Sequence, residues 1–364
     1  MGFVNDFVKN MSGYSLTSHK FWTLSPSEEV LKLDWNEATI PPCPDVTSAV
    51  NQLITNTGAQ YYPDADNAAL KKLIAEYSGL NACNIQYFAG SDAAHEAIAR
   101  ACLSEGCKVL MLTPTYDQFR VVCESAGAVV KQIPAKGITI EGFTSAISRF
   151  SPSLIYLCNP NNPTGELVTR SFVEKLALEA PNCLFLVDEA YIEFGGETCA
   201  PLVAELENIV VTRTFSKAFG LAGYRIGYLL GPPALIECVD KVRNAKSVTA
   251  AAQIAAITAL NHKRYTDDYV TEVIKAREFF LAWLLRFSTS LGIREVTSGS
   301  GNFVLMQFRT NIDKHNFITS LEKYNIFVRD LGHLDSLSHA VRITVGTQAQ
   351  MERVCMVFEG SNAP

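Results

Sequence analysis

Short apolar runs alternating with helical patterns constrain this chain of 364 residues more than any other feature. Most of the runs are apolar along their whole length, whereas the segments between them carry apolar residues at helical spacing. A strand that is apolar on both sides must be covered on both faces, and connecting helices give that cover in a parallel sheet. The sequence therefore predicts an α/β domain with a mostly parallel sheet and helices on both faces. The predicted strands are 85–88, 109–112, 129–133, 154–158, 183–187, 209–212 and 226–230, and the predicted helices are 68–77, 93–103, 117–125, 170–179 and 248–260.

The pattern changes after residue 260, where 265–287 has the spacing of one long amphipathic helix. Beyond it, strands at 302–308, 327–329 and 341–345 and helices at 313–324 and 347–358 no longer follow a regular β-α-β order. This indicates a smaller α+β domain. The predicted division is an N-terminal arm of residues 1–35, a large domain of 36–260, and a small C-terminal domain of 261–364 that includes the linking helix. The arm, with Tyr14, Phe21 and Trp22 expected to be exposed, is predicted to pack on another surface.

Composition excludes several classes of partner. A formal net charge of −6 and a pI near 5.6 give no basic surface for nucleic acid or an anionic membrane. The N-terminus lacks a signal pattern, and no apolar run approaches the ~20 residues of a membrane span. We therefore expect a soluble cytoplasmic protein. Ten cysteines without a C-x-x-C pair are typical of reduced core thiols, and together with the histidine spacing they predict no metal site.

The segment 212–227, TRTFSKAFGLAGYRIG, lies between two predicted strands. Lys217 follows the hydroxyls of Thr214 and Ser216 and precedes a glycine-rich turn that ends in Arg225. An amine beside hydroxyls and a cation suits a Schiff base next to a phosphate, which is what pyridoxal 5′-phosphate requires. A surface lysine in a polar loop is the alternative for such a short motif.

Polar motifs follow other predicted strands, and the carboxyl ends of parallel strands meet at one edge of a sheet. Asp188 and Tyr191 follow 183–187, where a carboxylate would pair with a pyridinium nitrogen and the tyrosine would bind the ring oxygen. Asn162 lies in the turn N-P-N-N-P-T-G after 154–158 and is placed to donate to the same oxygen. A helix cap at Asp188 and a plain turn at Asn162 are the alternatives.

Two further motifs complete this edge. Ser91 and Asp92 follow the strand 85–88 and open a helix, whose free N–H groups and dipole favour a phosphate. Tyr116 follows 109–112 and offers a ring to stack on a pyridine, although a core tyrosine has the same pattern.

Together, the segments NPNNPTG, DEAYIEF, RTFSKAFGLAGYRIG and VRITVGT resemble those of fold-type I pyridoxal-phosphate aminotransferases (class I/II), and most of all the histidinol-phosphate aminotransferase family. The resemblance runs from about Leu33 to the C-terminal helix. It implies an aspartate aminotransferase-like fold, a homodimer with shared active sites, and pyridoxal 5′-phosphate as cofactor. It also implies transfer of an amino group between an anionic amine such as histidinol phosphate and 2-oxoglutarate.

The resemblance assigns roles to individual residues. Lys217 would form the Schiff base and move the proton, Asp188 would pair with the pyridine nitrogen, and Tyr191 and Asn162 would hold the ring oxygen. Tyr116 would stack on the ring. The residues expected at the cofactor phosphate are Ser91, Asp92, Thr214, Ser216 and Arg225.

On the substrate side, the resemblance implies that Arg342 grips the anionic end, with Arg329 beside it and with Asn36 and Tyr14 also at the substrate. Tyr62 matches a tyrosine that such dimers donate to the neighbouring subunit's cofactor site. Two arginines favour a phosphate, which has more charge and more acceptor oxygens than a carboxylate. Pairing of Arg329 with Asp330 or Glu322 is the alternative.

The sequence departs from the family at Ala38, Ala93 and Lys246, which puts histidinol phosphate in doubt as the substrate. Three alternatives therefore stay open: an aminotransferase with a changed substrate pocket, a decarboxylase of the threonine-phosphate type, and a non-catalytic paralogue that only binds the cofactor.

Overall fold

A computed structural model of the chain describes residues 3–14, 20–24, 29–57 and 60–359. Its larger sheet has seven strands in the order β2-β8-β7-β6-β5-β3-β4. The five strands β7, β6, β5, β3 and β4 pair in parallel with one another. β8 runs antiparallel to both of its neighbours, β2 and β7. The strands are β2 Ile85–Phe88, β3 Lys108–Thr113, β4 Val129–Pro134, β5 Leu154–Cys158, β6 Leu184–Asp188, β7 Ile209–Thr214 and β8 Gly227–Leu230. The mostly parallel sheet predicted from the sequence is confirmed.

Alternate residues of the central strands enter two separate hydrophobic clusters. Leu186 and Val210 pack with one cluster, and the next residues, Val187 and Val211, pack with the other. The strands are apolar throughout because both of their faces are buried under helices. The helices of the chain are α1 Asp6–Asn10, α2 Pro44–Gln52, α3 Ala68–Ser78, α4 Ser91–Cys102, α5 Gln118–Ser125, α6 Ile140–Phe150, α7 Arg170–Glu179, α8 Pro233–Val242, α9 Ala250–Asn261, α10 Lys263–Phe287, α11 Asn311–Glu322 and α12 Gln348–Glu359.

A second sheet of five strands has the order β1-β11-β12-β10-β9. Its strands are β1 Leu31–Leu33, β9 Ile293–Thr297, β10 Phe303–Phe308, β11 Ile326–Asp330 and β12 Ala340–Thr344. The long helix α10 precedes β9–β12 and the helices α11 and α12. This confirms the smaller C-terminal α+β domain that the sequence predicts. β1 pairs in parallel with β11, so residues assigned to the arm belong to this sheet. The exact domain boundaries stay a prediction.

The first described segment of the arm, residues 3–14, packs on the large domain. Phe7 in α1 packs against Gly127, where an added Cβ would lie 2.8 Å from the Phe7 ring. Arg120 Nη2 donates to Ser12 O at 3.3 Å. Trp22 is exposed as expected, whereas Tyr14 lines an internal cavity. Among the described ranges, no helix combines the length and apolarity that a membrane crossing requires.

Candidate active site

A cavity of about 520 Å³ lies beyond the carboxyl ends of β3, β5, β6 and β7 and reaches the second sheet. Parallel strands end there together, and polar residues that are far apart in sequence therefore meet. Most of the residues singled out from the sequence line this cavity: Tyr14, Ser91, Asp92, Tyr116, Asn162, Asp188, Tyr191, Thr214, Ser216, Lys217, Arg225, Arg329 and Arg342.

Lys217 follows β7 and carries the amine of the site. Its Nζ donates to Trp35 O at 2.8 Å and lies 5.8 Å from the centre of the Tyr191 ring. Burial, followed by the positive charge of Arg342, lowers the Lys217 pKa from 10.5 to about 8. Far more of the amine is therefore uncharged near neutral pH than in an ordinary lysine, which suits a nucleophile and a proton carrier.

Asp188 ends β6, lines the same cavity and is buried. Its Oδ2 accepts a hydrogen bond from Tyr156 Oη at 2.8 Å, and Ala190 N donates to Oδ1 at 3.2 Å. His95 Nε2 lies 3.8 Å from Oδ2. Burial raises the Asp188 pKa and His95 opposes that rise. A buried carboxylate of this kind is stabilised in its charged form by a nearby cation.

A phosphate-sized corner lies at the N-terminus of α4. Gly90 precedes the helix with φ +88°, and Arg225 Nη2 lies 3.2 Å from Asp92 Oδ2. A Cβ at Gly90 would be 2.6 Å from that same Nη2, so only glycine leaves the guanidinium its place. Thr214 Oγ1 and Ser216 Oγ, 2.9 Å apart, add hydroxyls. Helix N–H groups, a cation and hydroxyls together form an anion-binding corner.

Two buried arginines lie on the side of the second sheet. Arg329 in β11 pairs directly with Arg342 in β12, and both side chains line the cavity. Arg342 Nη1 donates to Asn162 Oδ1 and Nη2 to Asp34 O, each at 2.6 Å, while its buried Nε has no partner. Burial and the charge of Arg329 lower the Arg342 pKa. Two adjacent buried cations favour binding of an anion.

Two of the predicted site residues lie outside the cavity lining. Asn36 is fully buried behind it and donates from Nδ2 to Tyr191 Oη at 3.1 Å, so it orients that tyrosine. Tyr62 is 79% exposed, and Lys246 Nζ lies 4.6 Å from the centre of its ring. The donation of Tyr62 to a neighbouring subunit stays a prediction. Of the two alternative partners of Arg329, Asp330 accepts a hydrogen bond from Lys314 Nζ at 2.9 Å, and Glu322 stays an alternative.

The sequence reasoning missed several residues of the site. Glu37 lines the cavity and forms an ion pair with Lys32, and His333 lines it from the loop after β11. Glu37 had a signal, since it lies in the N-E segment, but His333 had none. Tyr156 and His95 contact Asp188 from within a strand and a helix, and both fitted the pattern of ordinary core residues.

These residues fit pyridoxal 5′-phosphate. The buried Asp188 carboxylate would be neutralised by a protonated ring nitrogen, and the corner at Gly90 and Arg225 offers the charge and donors that a phosphate needs. Lys217 lines the same cavity with a lowered pKa. The Tyr116 ring also lines the cavity, and its hydroxyl donates to Asp92 Oδ1 at 2.9 Å.

Comparison with known proteins gives consistent results. A model of the family "aminotransferase class I and II" matches residues 28–358. A dihydroxyacetone phosphate transaminase of Campylobacter jejuni is 39% identical, with 96% of this chain and 95% of that protein covered. A histidinol-phosphate aminotransferase of Methanococcoides burtonii is 34% identical, with coverages of 98% and 93%. The crystal structure of histidinol-phosphate aminotransferase from Sinorhizobium meliloti with pyridoxal-5′-phosphate has a TM-score of 0.86 at 25% identity, with 99% of both chains covered.

Proposed function

This chain belongs to the class I and II aminotransferases and is a pyridoxal 5′-phosphate-dependent transaminase, and we propose that its substrate is a small phosphorylated compound. In this proposal an amino group leaves the phosphorylated amine, whose carbon becomes a carbonyl, and passes to a 2-oxo acid such as 2-oxoglutarate. The reaction is reversible, so the phosphorylated compound enters as the amine or as the ketone. The observation that carries the proposal is the adjacent pair of buried arginines, Arg329 and Arg342.

We assign the following roles on the cofactor side. Bound pyridoxal phosphate supplies the aldehyde that takes up the amino group and a ring that withdraws electrons. Lys217 holds the cofactor through its amine and moves the proton at the reacting carbon, for which its lowered pKa suits it. Asp188 holds the ring nitrogen in its charged form, while Tyr156 and His95 hold Asp188 in place.

The remaining cofactor contacts follow from the same cavity. Tyr191 and Asn162 orient the ring oxygen, and Asn162 is itself oriented by Arg342. Tyr116 stacks on the ring. The cofactor phosphate is assigned, partly through main-chain N–H groups, to residues around the start of α4 and in the 212–227 segment, namely Ser91, Asp92, Thr214, Ser216 and Arg225.

A phosphate on the substrate is supported by charge. One guanidinium satisfies a carboxylate, whereas a phosphate has the charge and acceptor oxygens for two. Arg342 keeps an unpartnered Nε although two of its other nitrogens are bonded, and Arg329 lies directly across the strand pair. In the second half-reaction, the same pair would take the carboxylate of the 2-oxo acid. Tyr14 lines the same side and is assigned to the substrate.

The names of two relatives suggest two candidates for the phosphorylated substrate. Dihydroxyacetone phosphate and histidinol phosphate both carry the phosphate on a CH₂ group attached to the reacting carbon. They differ in the third substituent, which is a hydroxymethyl group in one and an imidazolylmethyl group in the other. We place dihydroxyacetone phosphate first because the relative with that name has 39% identity. Histidinol phosphate is the second candidate, supported by the relative at 34%.

We also propose a cytoplasmic homodimer. The exposed aromatic rings of Tyr61 and Tyr62, at 73% and 79%, support burial of this surface by a second copy of the chain. The ten free cysteines support a reducing compartment.

The test uses the purified enzyme with pyridoxal phosphate and follows the visible absorption of the bound cofactor. We expect 2-amino-3-hydroxypropyl phosphate, the amine related to dihydroxyacetone phosphate, to bleach the band, and 2-oxoglutarate to restore it. Bleaching by histidinol phosphate instead would favour the second candidate. If glutamate bleaches the band but dihydroxyacetone phosphate and the carbonyl product of histidinol phosphate both fail to restore it, the phosphorylated class is wrong. Release of carbon dioxide from phosphothreonine would identify a decarboxylase.

A further inference from the structure

Outside the cofactor cavity, a cysteine, an aspartate and a histidine converge at the start of α2. Cys43 caps the N-terminus of α2, and Asp45 lies in the first turn of that helix. His262 lies between the end of α9 and the start of α10. Their ligand atoms all lie within 4.8 Å of one another. We propose that Cys43, Asp45 and His262 form a zinc-binding site that ties α2 to the junction of α9 and α10.

The distances match those of a tetrahedral site. Cys43 Sγ is 3.3 Å from Asp45 Oδ2, and His262 Nδ1 is 3.5 Å from the same oxygen. With zinc–sulfur bonds of about 2.3 Å and zinc–nitrogen or zinc–oxygen bonds of about 2.0 Å, neighbouring ligands in a tetrahedron are about 3.3–3.5 Å apart. Two of the three separations therefore already have the required values. The third separation, from Sγ to Nδ1, is at most 4.8 Å and would be about 3.5 Å once the metal is bound.

The chemistry of the ligands selects the metal. A thiolate, an imidazole and a carboxylate together suit a borderline-soft ion such as zinc, whereas magnesium and calcium take oxygen ligands. Cys43 is buried, whereas the side chains of Asp45 and His262 are 57% and 47% exposed to solvent. The metal would therefore enter from solvent, and a water molecule would complete the tetrahedron. When zinc binds, Cys43 loses its thiol proton to solvent and its hydrogen bond to Asp45 is replaced by the metal bonds.

The position of the cluster gives the site a structural role. Residues 36–43 run from the back of the cofactor cavity to the start of α2. Helix α10 already holds this segment, because Tyr265 Oη donates to Pro41 O at 3.0 Å and Thr39 N donates to Tyr269 Oη at 3.1 Å. Zinc at Cys43 and His262 would fix the same segment at its far end. The sequence did not reveal the cluster because His262 is remote from the other two residues along the chain.

The test titrates the holoenzyme, freed of metals, with Co²⁺ as a spectroscopic substitute for Zn²⁺. We expect intense d–d bands in the red, where bound pyridoxal phosphate does not absorb, with a stoichiometry of one Co²⁺ per chain. Zn²⁺ should bleach these bands and raise the Tm of the holoenzyme. The readout is independent of aminotransferase activity, so failure of the proposed substrate would not affect it.

Matched variants make the test specific. Cys43→Ser and His262→Gln should each weaken Co²⁺ binding by more than roughly tenfold and abolish the Tm shift, since each removes one ligand. Cys83→Ser and Cys238→Ser, which remove exposed thiols elsewhere, should bind as the wild type does. Should Cys43→Ser fail to fold, the half-exposed His262→Gln still decides the question. Weak octahedral spectra, or equal affinities in the His262→Gln variant and the wild type, would overturn the site.

Discussion

Replacing Lys217 by methionine should stabilise the cofactor-free protein at neutral pH. The environment of Lys217 lowers its pKa from 10.5 to about 8, which means that the folded state disfavours the charged amine. At about 1.36 kcal/mol per pKa unit, this costs about 3 kcal/mol at pH values below 8. Loss of the hydrogen bond from Nζ to Trp35 O offsets about 1 kcal/mol of the gain. We therefore expect Lys217→Met to raise the free energy of unfolding by about 2 kcal/mol at pH 7.

The sign of the pH dependence follows from proton binding. Between about pH 8 and 10.5 the unfolded chain binds more protons at Lys217 than the folded protein does, so wild-type stability rises with pH across that window. The advantage of Lys217→Met should therefore shrink from pH 7 to pH 10. The comparison between variant and wild type cancels the titration of other groups.

The assay is urea unfolding of both cofactor-free proteins at equal concentration, at pH 7 and pH 10. Lys72→Met is the matched control, because the Lys72 side chain is 75% exposed and its removal should change little. The account of the cavity electrostatics is refuted if Lys217→Met is no more stable than the wild type at pH 7, or if its advantage is the same at both pH values.

Two further predictions test other parts of the account. Gly90→Ala should lower cofactor affinity by roughly ten- to a hundredfold in equilibrium dialysis, since its Cβ would displace Arg225, whereas Gly79→Ala, with a similar φ but open space, should not. Equal affinities in the two variants would argue against Arg225 as a phosphate ligand. Burial raises the Glu193 pKa to about 7, so the folded state binds more protons between about pH 4.5 and 7 and wild-type stability falls there. Glu193→Gln should remove that fall and be more stable than the wild type at pH 8 in thermal unfolding.

Elements with a strong local signal were predictable from the sequence. The strands β2 and β5 and the helix α7 have the bounds that the sequence indicated, because short apolar runs mark the two strands and α7 is long enough to show a helical period. The position of most residues assigned to the cofactor was predictable as well, because they follow recognisable strands, whereas their roles stay a prediction. The convergence of Lys217 and Asp188 on one cavity then follows from the parallel sheet.

Features that depend on tertiary contacts were not predictable. β1 has three residues with a lysine at its centre, and it exists because residue 31 onward pairs with β11, far along the chain. β9 was missed as well because polar residues interrupt its apolar pattern, and α8 was missed although its apolar residues have helical spacing. The resemblance placed Arg329 beside Arg342, whereas their direct pairing across two strands depends on the register of β11 and β12. His333 reaches the cavity only through the path of its loop.

The preference for a phosphorylated substrate tests the central claim most directly. We would measure kcat/KM for 2-amino-3-hydroxypropyl phosphate and for the same amine without phosphate. The proteins are the wild type, Arg329→Met and a control, Arg294→Met, which replaces an exposed arginine of the same sheet. The account predicts that the wild type and Arg294→Met prefer the phosphorylated amine by roughly a hundredfold, and that Arg329→Met loses most of that preference. An unchanged preference in Arg329→Met would contradict the assignment of the two arginines to the substrate phosphate.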